Sequence, residues 1–362
     1  MRKVSKVNGK WMSVLLLSGV VAIAGCGSNN GSNSSSNSNQ APASESASST
    51  TSAAAPSASA DSGTQKLKKV VVRLKWINQA QFAGFYIAKE KGYYKDAGLD
   101  VEIRAGGADF PSVQMVSSGS EDFGVTGADQ ILMSREKGAP VVALSVIYRS
   151  TPFVLFTLKS SGITSVKDLE GQKVGVKLGG NEELTYRAMV KKAGIKAKSI
   201  SEMPVKYDLS PLLTGQVKAW PGYVINEVIA AQEQGQEVNV IYPSDYGINF
   251  YADTLFTTEK MIQKDPETVK GFTQATMKGW DYAIQHPDEA AQVTVQYGDQ
   301  LNLEHETKMM NASIPLLEAD KSPLGSMEDS EWNTLQDSLI DVGFLRKKQD
   351  LSTAFTNEFI QP

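Results

Sequence analysis

The sequence predicts an α/β protein made of two lobes that are joined by a hinge with two chain crossings. Strand-like and helix-like segments alternate from residue 67 to residue 158, and the alternation starts again between residues 173 and 242. Long amphipathic helices follow Asp265. Alternation of this kind is typical of a mostly parallel sheet covered by helices. Because the pattern occurs twice, we expect two lobes of similar build.

The first lobe opens with a strand and a helix. Val70, Val72 and Leu74 share one face of the segment 70–76, as the period of a strand requires. A helical pattern then includes Phe82 and ends before Gly92, a residue type that commonly terminates helices. Further strands are predicted at 99–105, 121–126, 141–147 and 154–158, and helices at 111–118 and 128–137.

The second lobe repeats the pattern with shorter elements. Its predicted strands are 173–177, 203–206, 217–220 and 237–242, and its predicted helices are 182–192, 210–213 and 226–234. Beyond residue 265, Val269, Phe272 and Ala283 recur on one helical face, so we expect these helices to pack back on the first lobe. The predicted division is 66–158 with 256–362 for lobe 1 and 159–255 for lobe 2, with crossings near 157–160 and 252–258.

The amino terminus has the pattern of a lipoprotein signal. Residues 1–25 combine basic residues with a short apolar run and end just before Cys26, the single cysteine of the chain. We expect cleavage there and acylation of Cys26 with palmitate-type chains. Residues 26–65 are rich in Ser, Asn and Ala, which predicts a disordered linker. The expected location is the outer face of the cell membrane, with the lipid anchor as the sole membrane contact.

Charge and motifs exclude several classes of function. The formal net charge is −4, and four basic and no acidic residues lie in 1–25, so the remainder is near −8. That charge argues against nucleic acid as a partner. The nucleophile-elbow, phosphate-loop and His-Glu-x-x-His motifs do not occur in the sequence, and the two histidines, His286 and His305, lack metal-ligand spacing. We therefore expect no enzyme activity, no metal and no cofactor, and a structural or solvated role for both histidines.

Several segments resemble one family of solute-binding proteins. They are Trp76–Val101, Glu121–Val125, Gly138–Ala143, Lys167–Val176, Leu212–Val217 and Trp220–Glu227. Their sequences are similar to those of the substrate-binding lipoproteins of ABC importers that carry pyrimidine precursors of thiamine. That family shares a domain with the alkanesulfonate, nitrate and taurine binders. The resemblance implies a periplasmic-binding-protein type II fold, a small-molecule ligand, an ABC permease with its ATPase as partners, and a monomer.

One motif departs from that family. Its pyrimidine binders tend to read Trp-x-Pro-Asn-x-Asn-His-x-Gly, whereas this chain has Asn78, Gln79, Gln81 and Phe82 at the positions of Pro, Asn, Asn and His. The departure leaves open whether the ligand of this chain belongs to a different chemical class from the thiamine pyrimidines.

Ligand residues are expected on the loops that follow the strands, at the mouth of the cleft. The nominated residues are Trp76, Gln79, Phe82, Asp129, Gln130, Tyr148, Gly180, Asn181, Trp220, Tyr223, Asn226, Glu227 and Tyr246. The aromatic members would sandwich a flat heterocycle. Carboxylates would accept hydrogen bonds from an exocyclic amine, amides would fix its orientation, and the start of a helix at Gly180 would cap a ligand oxygen.

Some nominated residues have an equally plain structural explanation. Trp76 ends a strand on its apolar face and fits a core position, and Asp129 fits a helix cap. Tyr148 and Tyr246 are of a type that more often packs than binds ligands.

The favoured hypothesis is capture of an amino-substituted, pyrimidine-like solute between two closing lobes. Binding of an alkanesulfonate, taurine or nitrate is the alternative within the same class, although Arg149 is the one evident cation among the loops considered. A pyrimidine-synthesising enzyme would need a histidine in the cleft, where this chain has Phe82. An adhesin lipoprotein without a small ligand is the third hypothesis.

Overall fold

The computed structural model describes residues 66–107, 109–206, 208–320 and 322–360. The predicted signal peptide, the predicted linker and Cys26 lie outside the described residues.

The first sheet contains five strands in the order β2-β1-β3-β10-β4. They are β1 (Lys68–Arg73), β2 (Leu99–Arg104), β3 (Phe123–Thr126), β4 (Val141–Val146) and β10 (Thr254–Thr258). β1 pairs in parallel with β2 and β3, whereas β10 is antiparallel to both β3 and β4. The expectation of a mostly parallel sheet is therefore wrong at β10. Thr254, the first residue of β10, pairs with Val146, the last residue of β4. β10 therefore runs in the direction opposite to that of β4.

The second sheet is built around β5, and its other strands are four residues long. Its strands are β5 (Phe153–Leu158), β6 (Lys173–Val176), β7 (Ser201–Pro204), β8 (Trp220–Tyr223) and β9 (Val238–Ile241). β5 lies between β8 and β9 and is antiparallel to both. β6 and β7 form a parallel pair that a bridge between Val174 and Ala219 joins to the β8 edge. We refer to these five strands together as the second sheet.

The chain passes between the sheets earlier than the sequence predicted. β5 belongs to the second sheet, so the first passage falls between residues 146 and 153 and not at 157–160. The return lies between the end of β9 at Ile241 and the start of β10 at Thr254. The predicted strand 217–220 is also displaced, because residues 218 and 219 pair with β6 and the strand that pairs with β5 begins at Trp220. The boundaries of separately moving lobes stay a prediction.

The described part of the chain contains helices on both sheets and a helical carboxyl-terminal region. The helices are α1 (Ala83–Glu90), α2 (Tyr93–Asp96), α3 (Ser112–Ser117), α4 (Ala128–Glu136), α5 (Gly180–Lys192), α6 (Ser210–Leu213), α7 (Glu227–Glu233), α8 (Glu259–Lys264), α9 (Pro266–Gln285), α10 (Pro287–Thr294), α11 (Leu303–Leu317) and α12 (Asp329–Asp341).

The carboxyl-terminal helices α9 and α12 pack against α1 and α4, on the first sheet's side of the molecule. α9 lies along α1, and a Cβ added at Gly279 would overlap the carbonyl oxygen of Gly84. The two helix backbones can approach this closely because neither residue carries a side chain there. Trp280 and Phe272 are fully buried in the same core. This packing gives α1, and the loop that precedes it, a rigid support.

Candidate functional site

A buried group of polar side chains lies where the two sheets meet. Lys75 follows β1, and its Nζ lies 3.0 Å from the hydroxyl of Tyr223 at the end of β8. The same Nζ lies 3.0 Å from Oδ1 of Asp253, whose side chain is fully buried just before β10. Because Lys75 and Tyr223 come from different sheets, the contact joins the two parts of the protein.

Two glutamines extend this group along the loop after β1. Gln81 donates from Nε2 to Oδ2 of Asp253 at 2.7 Å, and Gln79 donates from Nε2 to Oε1 of Gln81 at 2.6 Å. Both glutamine side chains are buried. We call Lys75, Gln79, Gln81, Tyr223 and Asp253 the central polar cluster. Its members form one continuous chain of hydrogen bonds, an arrangement that rigidifies a buried site when every partner is present.

The charges in the central polar cluster are stabilised by one another. Burial alone would lower the pKa of Lys75, but the negative charge of Asp253, with Tyr223 and Glu182, raises that pKa well above its ordinary value. Burial raises the pKa of Tyr223 as well, so its hydroxyl stays neutral. Lys75 is consequently a fixed cation that donates hydrogen bonds at neutral pH.

Asp129 and Asn181 carry buried polar atoms to which the described part of the chain offers no hydrogen-bond partner. These atoms are Oδ1 of Asp129 and Nδ2 of Asn181, and the two residues are 0% and 3% exposed. Both residues lie beside Gly127: a Cβ added there would overlap Asp129 Oδ1 and would stand 3.6 Å from the Cβ of Asn181. An unpaired buried polar atom costs about 1–3 kcal/mol, so two neighbouring ones call for an explanation.

The remaining atoms of these two residues are bonded. Asp129 Oδ2 accepts from Nε2 of Gln130 at 2.7 Å, and Asn181 Oδ1 accepts from Thr151 at 3.4 Å. Burial raises the pKa of Asp129. The cap residue of α4 is Gly127, with no side-chain cap bond, so the capping explanation for Asp129 does not describe its contacts. Gly180 begins α5 with a φ of 71°, in the conformation that favours glycine.

Glu227 is bound on both carboxylate oxygens. Lys177 donates from Nζ to Oε1 at 2.5 Å, and the backbone N–H of Tyr223 donates to Oε2 at 2.8 Å. Gly222 leaves room for this carboxylate, since a Cβ there would lie 2.9 Å from the Cβ of Glu227. The Glu227 bond therefore fixes the backbone of Tyr223, the residue that meets Lys75.

Other nominated residues occupy packing positions. Phe82 and Trp220 are fully buried, and Trp220 packs with Phe156 in a separate apolar cluster of the second sheet. Tyr148 is fully buried, donates to Oγ of Ser313 at 2.9 Å and meets Trp280 edge-on. All three side chains therefore lie in the apolar cores of the protein.

Trp76 and Tyr246 are half-buried. Trp76 packs against the main core. The hydroxyl of Tyr246 accepts a hydrogen bond from the backbone N–H of Val166 at 2.9 Å. The hydrogen bonds of the central polar cluster do not include Tyr246.

Asn226 is contacted by a histidine. Nε2 of His305 lies 3.1 Å from Oδ1 of Asn226, and Nδ1 of the same ring lies 2.8 Å from Oε2 of Glu233. These contacts are compatible with the structural role expected for His305, and the ring of His286 lies 4.2 Å from that of Tyr282 near the end of α9.

The sequence reasoning missed Lys75 and Asp253 as site residues. Lys75 alternates with the buried Leu74 at the end of a strand, which is the position that the loop rule selects. Asp253 lies in the predicted crossing near 252–258, where no ligand residue was nominated. Gln81 lies between the nominated Gln79 and Phe82 but was not nominated itself.

No helix among the described residues is long and apolar enough to cross a bilayer. In the same ranges, no group of three or more His, Cys, Asp or Glu side chains is placed to hold a metal ion.

Comparison with proteins of known name supports a binding function. The chain is 26% identical over 321 residues to the riboflavin-binding protein RibY of Chloroflexus aurantiacus, covering 83% of this chain and 88% of the relative. It is also 26% identical over 278 residues to the formylaminopyrimidine-binding protein of Halalkalibacterium halodurans, covering 75% and 84%. At lower identity, 22% over 81% of this chain and 92% of the relative, it matches a 4-amino-5-hydroxymethyl-2-methylpyrimidine phosphate synthase of Legionella pneumophila.

A solved structure confirms the predicted fold. The periplasmic aliphatic sulphonate binding protein SsuA of Escherichia coli superposes with a TM-score of 0.66 at 16% identity, covering 79% of this chain and 96% of that one. The chain therefore has the periplasmic-binding-protein fold. The family model described as NMT1/THI5 like matches residues 79–290, which is more than half of the chain. From this match and the relatives above, the chain belongs to the NMT1/THI5-like family.

Proposed function

We propose that this protein is the extracytoplasmic solute-binding component of an ABC importer, anchored by a lipid on Cys26. Its solute is a pyrimidine-type heterocycle that is captured between the two sheets, next to the central polar cluster. Relatives named for binding formylaminopyrimidine and riboflavin support this class of solute.

The observation that carries the proposal is the pair of unsatisfied atoms beside Gly127. Asp129 Oδ1 can accept a hydrogen bond and Asn181 Nδ2 can donate one, and neither atom has a partner in the described part of the chain. The edge of a pyrimidine presents the complementary pair, an N–H group next to a ring nitrogen or a carbonyl oxygen. One flat solute would therefore satisfy both atoms at once, which accounts for their burial without a protein partner.

The charges near this position disfavour an anionic solute such as a sulfonate. Lys75 and Lys177 are each ion-paired with a carboxylate, Asp253 and Glu227 respectively. Asp129 adds a further buried carboxyl group. An incoming sulfonate would meet carboxylates whose charge is poorly screened in the interior, so the taurine-type alternative ranks below a neutral heterocycle.

Two solutes of the pyrimidine class are distinguished by which groups they offer. An amino-substituted pyrimidine supplies N–H donors that suit the carboxylates Asp129 and Glu227. Riboflavin contains a pyrimidine ring with two carbonyl groups, and these suit the donors Lys75 and Asn181. Both solutes therefore belong in the binding test.

An enzymatic role has less support. The family of synthases requires reactive groups in the cleft, and here the motif position of the histidine holds the fully buried Phe82. His305 contacts Asn226 and Glu233, so both of its ring nitrogens already have partners. We therefore place the chain with the binding proteins of its family.

Calorimetric titration with riboflavin, formylaminopyrimidine and taurine tests the proposal. At least one of the two heterocycles is expected to bind and taurine is not. Asp129→Asn should lower the affinity for the heterocycle about tenfold or more, because a buried hydrogen bond to a charged group contributes about 1.5–3 kcal/mol. Asp100→Asn, on the exposed face of β2, is the matched control and should leave affinity unchanged. Failure of both heterocycles to bind, or wild-type affinity in Asp129→Asn, would overturn the proposal.

A further inference from the structure

The ion pair of Lys75 and Asp253 lies in the middle of the central polar cluster and has one further partner on each side. Lys75 Nζ contacts Asp253 Oδ1 and the hydroxyl of Tyr223, both at 3.0 Å. The other carboxylate oxygen, Asp253 Oδ2, accepts from Gln81 Nε2 at 2.7 Å. An ammonium group can only donate hydrogen bonds, and a carboxylate can only accept them. The ion pair therefore dictates the direction of the hydrogen bonds on both sides of it.

Asp253 fixes the direction of two glutamine amides. Because its Oδ2 accepts, Gln81 must turn its NH2 group toward Asp253, which leaves the Gln81 carbonyl oxygen for the next residue. That oxygen accepts from Nε2 of Gln79 at 2.6 Å. Gln79 consequently ends the series with Oε1, an acceptor that is paired with no donor among the described residues. Since Gln79 is only 5% exposed, this acceptor has little access to water.

Lys75 fixes the opposite direction on its own side. The Tyr223 hydroxyl accepts from the ammonium, so its own proton points elsewhere. Burial raises the pKa of Tyr223, and the hydroxyl therefore keeps that proton at neutral pH. Tyr223 is 6% exposed, and its proton has no acceptor in the described part of the chain. The cluster thus ends in an acceptor at Gln79 and in a donor at Tyr223.

We propose that the ion pair sets the hydrogen-bonding specificity of the solute site, by presenting a carbonyl acceptor at Gln79 and a hydroxyl donor at Tyr223. Asp253 and Gln81 are positioning residues, because they act through Gln79. The inference rests on the proposed solute-binding function and narrows its solute: an N–H group meets Gln79, and a ring nitrogen or oxygen meets Tyr223. Besides the groups that satisfy Asp129 and Asn181, an amino-substituted pyrimidine has a second N–H and a second ring nitrogen for these contacts.

Asp253→Asn should reverse the glutamine series without changing its shape. Lys75 still requires an acceptor, so the new amide must keep its oxygen on Lys75 and turn its NH2 group to Gln81. Gln81 then has to offer its carbonyl oxygen, and its NH2 group turns to Gln79. Gln79 would accept that bond through Oε1 and present its own NH2 group to the solute. The variant therefore exchanges an acceptor for a donor at one position of the site.

The first test is calorimetric titration of the full chain with 4-amino-2-methylpyrimidine and with 2,4-dimethylpyrimidine, in which a methyl group replaces the amine. Wild type is expected to favour the amine. Asp253→Asn and Gln79→Leu should each lower the ratio of the two affinities about tenfold, because a buried N–H without an acceptor is penalised. Asp100→Asn, on the exposed face of β2, should keep the wild-type ratio. A ratio near one in wild type, or the wild-type ratio in either cluster variant, would overturn the proposal.

The second test needs no solute and therefore separates this proposal from the proposed function. Exchange of the side-chain amide protons of Gln79 and Gln81 with water is measured by NMR in the solute-free protein. In Asp253→Asn, Gln81 should keep a slowly exchanging N–H, whereas the NH2 group of Gln79 loses its acceptor and should exchange about tenfold faster than in wild type. Unchanged exchange at Gln79 contradicts the reversal, even where pyrimidines bind. The expected exchange without binding of either pyrimidine would support the reversal and count against the proposed function alone.

Discussion

Replacing Lys75 by methionine should destabilise the folded protein through the charge that it leaves behind. Asp253 is fully buried, and in Lys75→Met its carboxylate keeps a single described side-chain donor, Nε2 of Gln81 at 2.7 Å. The hydroxyl of Tyr223 loses its contact with the ammonium in the same change. The methionine fills a similar volume, so the effect reports charge more than packing.

The expected size follows from the burial of the two partners. Removing one member of a buried ion pair typically costs about 3–5 kcal/mol, because the other charge is left without compensation. Asp253→Asn should cost less than Lys75→Met, because the Lys75 side chain is 17% exposed and can be partly hydrated while Asp253 cannot. The double variant Lys75→Met with Asp253→Asn should recover part of the loss, since no buried charge remains unpaired.

Urea denaturation followed by intrinsic fluorescence provides the free energies of unfolding. Lys159→Met is the matched control, because Lys159 pairs with Glu237 at 3.3 Å on the surface, with side chains 63% and 79% exposed. Such a pair should change stability by less than about 1 kcal/mol. The reasoning is refuted if Lys75→Met changes the free energy of unfolding by no more than the control does, or if the double variant is less stable than Lys75→Met.

Four further changes test other parts of the account. Burial raises the pKa of Glu306, so the folded protein favours the protonated carboxyl group, and this contribution to stability is lost as pH rises through the raised pKa. Glu306→Gln should therefore show a smaller fall in unfolding free energy between pH 5 and pH 8 than wild type. An equal fall in the two proteins would contradict this prediction. Glu306→Leu removes the acceptor of the Ala80 N–H and should cost about 1–3 kcal/mol in the same urea assay. Gly127→Ala places a methyl group against Asp129 Oδ1 and should weaken heterocycle binding at least tenfold in calorimetry, with full affinity as the contrary result. Cys26→Ser should abolish incorporation of labelled palmitate and release the protein from membranes, and continued membrane retention would exclude the anchor.

Local patterns in the sequence were sufficient to predict the positions of most individual strands and helices. The strand beginning near Val70 and the helix over 128–137 were placed within a few residues, because their apolar periodicity is undisturbed. The antiparallel position of β10 was not predicted, because it depends on where the chain returns from the second sheet. Periodicity along one strand carries no information on that return.

The candidate site was harder to predict because its partners are distant in sequence. Lys75 and Asp253 are 178 residues apart, so neither marks the other in the sequence. Trp220 is one of the nominated aromatic residues, but every residue of β8 is buried and the indole packs with Phe156 in the apolar cluster of the second sheet. A strand buried on both faces has no alternation from which to read direction. Asp129 and Asn181 were nominated as separate ligand residues, and the structure brings both of them beside Gly127; their role in binding stays a prediction.

A crystal structure of the protein with its bound heterocycle tests the central claim most directly. The account predicts a flat ring beside the central polar cluster, with Asp129 Oδ1 and Asn181 Nδ2 each at about 2.7–3.2 Å from a ligand atom. A ligand bound elsewhere, such as in the groove lined by Lys68 and Glu267, with both atoms beside Gly127 still unbonded, would contradict it.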